Sequence, residues 1–147
     1  MSHRWPLLAL RGTAIAVALL ALAQPFLAGG FLQGYYPMLK AHQIAAMILA
    51  TFVLLAALAG VLVWRLVPGA KAGAAIQYTV LLVLVTAQIT LGFSRVLLLH
   101  VPLGVGIFVM AEKFAVDAFK VGAAGPVEPA EPVGSAESVE PAAEVTT

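Results

Sequence analysis

The chain has 147 residues, of which 62% are hydrophobic and only 10% charged, whereas about a quarter of residues are charged in soluble domains. A formal net charge of +1 gives no electrostatic reason to expect a nucleic-acid partner, and the absence of cysteine excludes disulfides, thiolate metal sites, covalent c-type haem and cysteine nucleophiles. Mean hydropathy is +1.01, so lipid is the expected solvent, and any metal or cofactor must rely on His, Met or carboxylate ligands.

A helix needs roughly 20 apolar residues to cross a hydrocarbon core about 30 Å thick. Four segments meet that need, at about residues 12–32, 42–64, 74–93 and 96–114. The first follows Arg4 and Arg11 and contains Ala21-Leu-Ala23, which has the look of a signal-peptide cleavage site. The apolar run continues through Pro25 to Leu32, however, so a retained span is expected. Gly34-Tyr-Tyr-Pro37 breaks the first span from the second, and Pro68-Gly69 breaks the second from the third. Phe93, Ser94 and Arg95 leave almost no loop before the fourth span, which predicts a tight antiparallel hairpin.

The fold class implied is an all-α four-helix transmembrane bundle over residues 1–121. Residues 122–147 are expected to form a disordered acidic tail, rich in Pro, Ala and Glu and too poor in apolar surface to fold. Arg4, Arg11, Arg65, Lys71, Lys113 and Lys120 fall on one side of the bilayer, against Lys40 and Arg95 on the other. Basic residues stay cytoplasmic, so both termini are expected inside, in a multi-pass protein of the bacterial inner membrane. Trp5, Trp64, Tyr35 and Tyr36 near the span ends suit the interfacial aromatic belts.

Polar groups inside lipid are costly and usually face the bundle interior. His42 opens the second span and His100 lies about one turn into the fourth, so two parallel helices carry a histidine each towards the outer face. Such a pair suits the two axial positions of one haem iron. At helical spacing Ala45, Ala46 and Leu49 follow His42, and Gly104, Ile107 and Ala111 follow His100, so the residues one turn from each histidine are small. Lys40, Arg95, Tyr35 and Tyr36 would then meet the propionates. The opposing reading is ordinary membrane-helix packing through small residues, with interfacial histidines.

Gln77, Gln88 and Arg95 fall on nearly one stripe of the third helix, where interhelical hydrogen bonding by the glutamines is expected. Glu112, Lys113 and Asp117 at the inner end of the fourth span are expected to be solvated or to snorkel. No Walker loop, Gly-x-Ser-x-Gly elbow or His-Glu-x-x-His is present, and the first three spans contain no acid.

Ala41-His-Gln-Ile-Ala-Ala46 together with Leu99-His-Val-Pro-Leu-Gly-Val-Gly-Ile-Phe108 resembles one half of a haem A synthase over roughly residues 12–118. The resemblance implies a four-helix unit with His42 and His100 as paired haem ligands. The chain departs from that family in having one half only, Gln43 where an Arg is common, and no counterpart of the outer-loop carboxylate and cysteines; haem A synthesis by this chain alone is therefore not implied. Gln24-Pro-Phe-Leu-Ala-Gly29, Ala41-His42 and His100-Val-Pro-Leu-Gly104 also resemble an uncharacterised family of small bacterial four-helix membrane proteins. The leading reading is a b-type haem protein in electron transfer or haem handling, with His42 and His100 as iron ligands and Arg95 and Lys40 beside the cofactor. The alternatives are a cofactor-free protein that serves a larger membrane complex, and a small-molecule carrier, which the lack of intramembrane acids disfavours.

Overall fold

The structure is a computed structural model and describes residues 4–122. The acidic tail and His3 lie outside the described residues. Four helices follow in order, α1 (Arg4–Leu32), α2 (Pro37–Leu66), α3 (Gly73–Phe93) and α4 (Leu97–Lys120). Each is long and apolar enough to span a membrane.

α1 packs on α2, α2 on α3, α3 on α4, and α4 back on α1. The diagonal pairs, α1 with α3 and α2 with α4, have no Cα atoms within 8 Å of each other. The arrangement is a closed up-down-up-down square. One end of the bundle, the hairpin end, holds the α1–α2 and α3–α4 turns. The other, the terminal end, holds Arg4, the α2–α3 loop and Lys120.

Both turns at the hairpin end are built alike. After α1, Gly34 N–H donates to Phe31 O and Tyr35 N–H to Gly30 O. After α3, Arg95 N–H donates to Gly92 O and Val96 N–H to Leu91 O. Each is a Schellman cap, in which the residue past the helix adopts left-handed backbone angles to satisfy the last carbonyls. Gly34 supplies φ 97 without strain, whereas Arg95 does the same work at φ 58 with a side chain attached.

The core repeats in the same way. Buried positions run Leu10, Ala14, Val17, Ala21 in α1 and Ala74, Tyr78, Leu81, Val85 in α3. In α2 they include Leu49, Val53, Ala56 and Gly60, and in α4 they are Ile107, Ala111, Phe114 and Ala118. All four rows step by four, three and four residues, the spacing of a seam that packs at shallow crossing angles. The bundle is thus two helical hairpins with the same core spacing. Large and small residues alternate between them, so Tyr78 stands where the first hairpin has Ala14 and Phe114 where it has Ala56, and the rings of Tyr78 and Phe114 meet edge to face with centroids 5.9 Å apart.

Burial runs from the terminal end to just past the midpoint of each helix, where it stops at Ala21, Leu49, Val85 and Ile107. Residues 22–48 and 86–106 contain none. In the packed half Gly60 brings α2 against α3 so closely that a Cβ there would lie 2.8 Å from Ala75 N. Arg11 of α1 closes the ring on the other side: its guanidinium donates to Phe119 O and Val121 O, capping the open carbonyls of α4, and stacks over the Phe119 ring.

Three helix limits differ from the sequence reading, the first being the start of α1, at Arg4 rather than about residue 12. α2 begins at Pro37, so His42 sits in its second turn and Lys40 is helical rather than in a loop. Proline was read as a breaker, but its fixed φ and missing N–H suit the first turn of a helix. α4 runs on to Lys120 past the expected span end, because Lys113 and Lys120 both form ion pairs with Asp117 on one face of the extra turns.

Candidate functional site: a histidine pair across the bundle

His42 and His100 come from the diagonal helices α2 and α4, and their rings are neighbours. The centroids are 6.4 Å apart with planes at 69°. The sequence placed His100 about a turn deeper than His42. With α2 starting at Pro37 that gap closes, since His42 is the sixth residue of its helix and His100 the fourth.

Each ring is tied to the preceding helix of its own hairpin. His42 Nδ1–H donates to Gln24 O at 3.3 Å, and His100 Nδ1–H donates to Gln88 O at 3.0 Å. A carbonyl accepts only, so these bonds place the proton on Nδ1 and leave each neutral imidazole with its lone pair on Nε2. Metal-binding histidines are commonly held this way, the second nitrogen bonded to a carbonyl or carboxylate that fixes the tautomer.

The second hairpin adds a reciprocal bond, from Gln88 Nε2 to His100 O at 2.9 Å. Two glycines make room for it. A Cβ at Gly92 would lie 2.8 Å from His100 Cε1, and one at Gly104 would lie 2.7 Å from Gln88 Nε2. In the first hairpin the side-chain nitrogen of Gln24 is buried without a partner, as is Gln88 Oε1 in the second. Ala45, Ala46 and Gly104, expected beside the histidines, are half-buried, while Leu49, Ile107 and Ala111 are buried beneath them.

The expected polar stripe on α3 divides. Gln88 reaches His100, Gln77 Nε2 donates to Asp117 at 3.4 Å, and Arg95 is not on the helix at all but in the turn that follows it. Lys40, Arg95, Tyr35 and Tyr36 are exposed at the hairpin end, and among the described residues the Lys40 and Arg95 side chains form no hydrogen bond or ion pair. Asp117 is not simply solvated, being gathered by Lys113, Lys120 and Gln77. The sequence reading missed the roles of Gly92 and of the Gln24 and Gln88 carbonyls. Proline gave no signal for them, since Pro25 and Pro102 free the carbonyls four residues earlier, at Ala21 and Leu98.

Among the described residues no group of three or more His, Cys, Asp or Glu comes together. Two imidazoles alone do not complete the roughly four-ligand shell of a bare zinc or copper ion. They do complete an iron whose four equatorial bonds come from a macrocycle. Imidazoles on opposite sides of such an iron have ring centres about 6 Å apart, from two metal–nitrogen bonds of about 2 Å and about 1 Å more to each ring centre. The separation of 6.4 Å fits that spacing, so the donor pair is chemically suited to the iron of a haem. Comparison of the chain with known protein families, curated proteins and solved structures gave no match.

Proposed function

We propose that this chain is a multi-pass membrane protein that holds one b-type haem between His42 and His100, for electron transfer or haem handling near the outer face of a bacterial inner membrane. The observation that carries the reading is the histidine pair: two rings from diagonal helices, each with Nδ1 bonded to a carbonyl, separated by 6.4 Å. The haem, when bound, supplies a one-electron centre. The chain supplies two oriented Nε2 lone pairs, an interior of small residues, and Lys40 and Arg95 as cations for the propionates. The basic residues support an orientation with both termini cytoplasmic, which puts the hairpin end outside. The resemblance of residues 12–118 to one half of a haem A synthase is in keeping with ligation by this pair, and the proposal is confined to binding the haem.

Protein purified after expression with ample haem should absorb in the Soret region and, when reduced, give the sharp split visible bands of a six-coordinate low-spin centre. Acid or pyridine should extract the haem, since no cysteine holds it. Replacing both histidines by Ala should abolish binding while the helical content stays unchanged. A colourless product, or a spectrum indifferent to the double substitution, rejects the proposal. Reporters fused in the segment 68–72 and at residue 122 should be cytoplasmic, and one within 33–36 external.

A further inference from the structure

The two hairpins repeat each other in core spacing, cap and glutamine–histidine bond, so their differences at the site are informative. His100 is clamped at two points, by its own bond to Gln88 O and by the bond from Gln88 Nε2 to its carbonyl. His42 has a single, longer bond to Gln24 O, and the Gln24 amide nitrogen finds no partner. The cause lies in two residues. The clamp needs glycine four residues after each of its members, at Gly92 and Gly104, where a methyl would collide with the ring or the amide. The first hairpin has Ala28 and Ala46 at the same places.

We infer that His100 is the fixed ligand of this site and His42 the releasable one, so that the His42 side admits a small neutral ligand of the carbon monoxide class. The inference rests on the haem reading above. Release of His42 asks for one weak bond to break, and the ring then leaves with the first turns of α2, which contain no buried residue before Leu49. The residue whose main-chain carbonyl holds His42 also carries a buried amide nitrogen without a partner. Release of the His100 ring would break the shorter bond to Gln88 O and empty a space shaped around the ring, with the His100 main chain still held by Gln88 Nε2. Gln88 is a positioning residue: it acts on the iron only through His100.

Carbon monoxide titration of the reduced, haem-loaded full chain tests this. A complex should form in the wild type, with a spectrum that matches the complex of His42→Ala and differs from that of His100→Ala. Giving the first hairpin the same glycines, with Ala28→Gly and Ala46→Gly together, should lower carbon monoxide affinity about tenfold by allowing a second clamp. Gly104→Ala should raise it by loosening His100. In the haem-free protein, the His100 Nδ1 proton should exchange with solvent at least tenfold more slowly than that of His42 by nitrogen-edited NMR. A wild-type complex that matches His100→Ala, no complex at gas saturation in protein that does hold haem, or equal exchange of the two protons overturns this inference alone. Protein that takes up no haem overturns the haem reading and this inference with it.

Discussion

The two halves of the bundle are made by the same four helices and packed by opposite rules. Towards the terminal end the helices share a core of small and apolar residues on one repeating seam, closed by contact at Gly60 and by Arg11 across α1 and α4. Towards the hairpin end no residue is fully buried, and the contacts that cross between helices include hydrogen bonds to His42, His100 and Gln88. The difference teaches that dense burial and the histidine pair are separated along the bundle axis, the first towards one end and the second towards the other.

The comparison can be broken most severely at Gly60. Gly60→Val would drive a side chain into the Ala75 backbone, which cannot yield as a flexible side chain does, and should cost about 3 kcal/mol. Thermal or denaturant unfolding in detergent should register that loss whether or not haem is present. At the other end Gly92→Ala makes an equally short contact, but with the His100 ring. We expect a cost of less than about 1 kcal/mol in folding, because the half-buried His100 side chain can turn aside as the Ala75 backbone cannot, together with about a tenfold loss of haem affinity, or about 1.4 kcal/mol in binding. Equal effects of the two substitutions on unfolding would show that the halves are not separate in energy. The smallest effect is expected at Arg95. Arg95→Gly relieves a left-handed backbone and should raise stability by about 0.5 kcal/mol, part of the gain being offset by glycine entropy in the unfolded chain. If its guanidinium pairs with a propionate, the same variant should bind haem more weakly, so the two measurements move in opposite directions.

Much of this architecture is legible in the sequence because lipid demands long apolar runs, and glycine and proline mark their ends. The four helices, the tight α3–α4 turn and the common face of His42 and His100 follow from those signals. The start of α2 does not, since Pro37 ends one pattern and begins another. Nor does the end of α4, where Lys113, Asp117 and Lys120 read as the edge of a span although ion pairs extend the helix. The common core spacing is hidden for a different reason: its matching positions differ in size, as Ala14 and Tyr78 do, and only their burial shows it. The clamp on His100 depends on two helices meeting at Gly104, a distance that no local pattern encodes.

The clasp between Arg11 and the end of α4 has one more consequence. It brings the beginning of the first helix beside the end of the last, with Leu7 lying next to Gly122, at the same end of the bundle as the loop between α2 and α3. A ring of four helices closed in this way has no structurally privileged first helix. A chain opened at Pro68-Gly69 and rejoined through a short linker between residues 122 and 4 would run through the second hairpin before the first, with every interhelical contact kept. The order in which the two halves are synthesised is therefore a property of the gene, while the site between them belongs to their pairing.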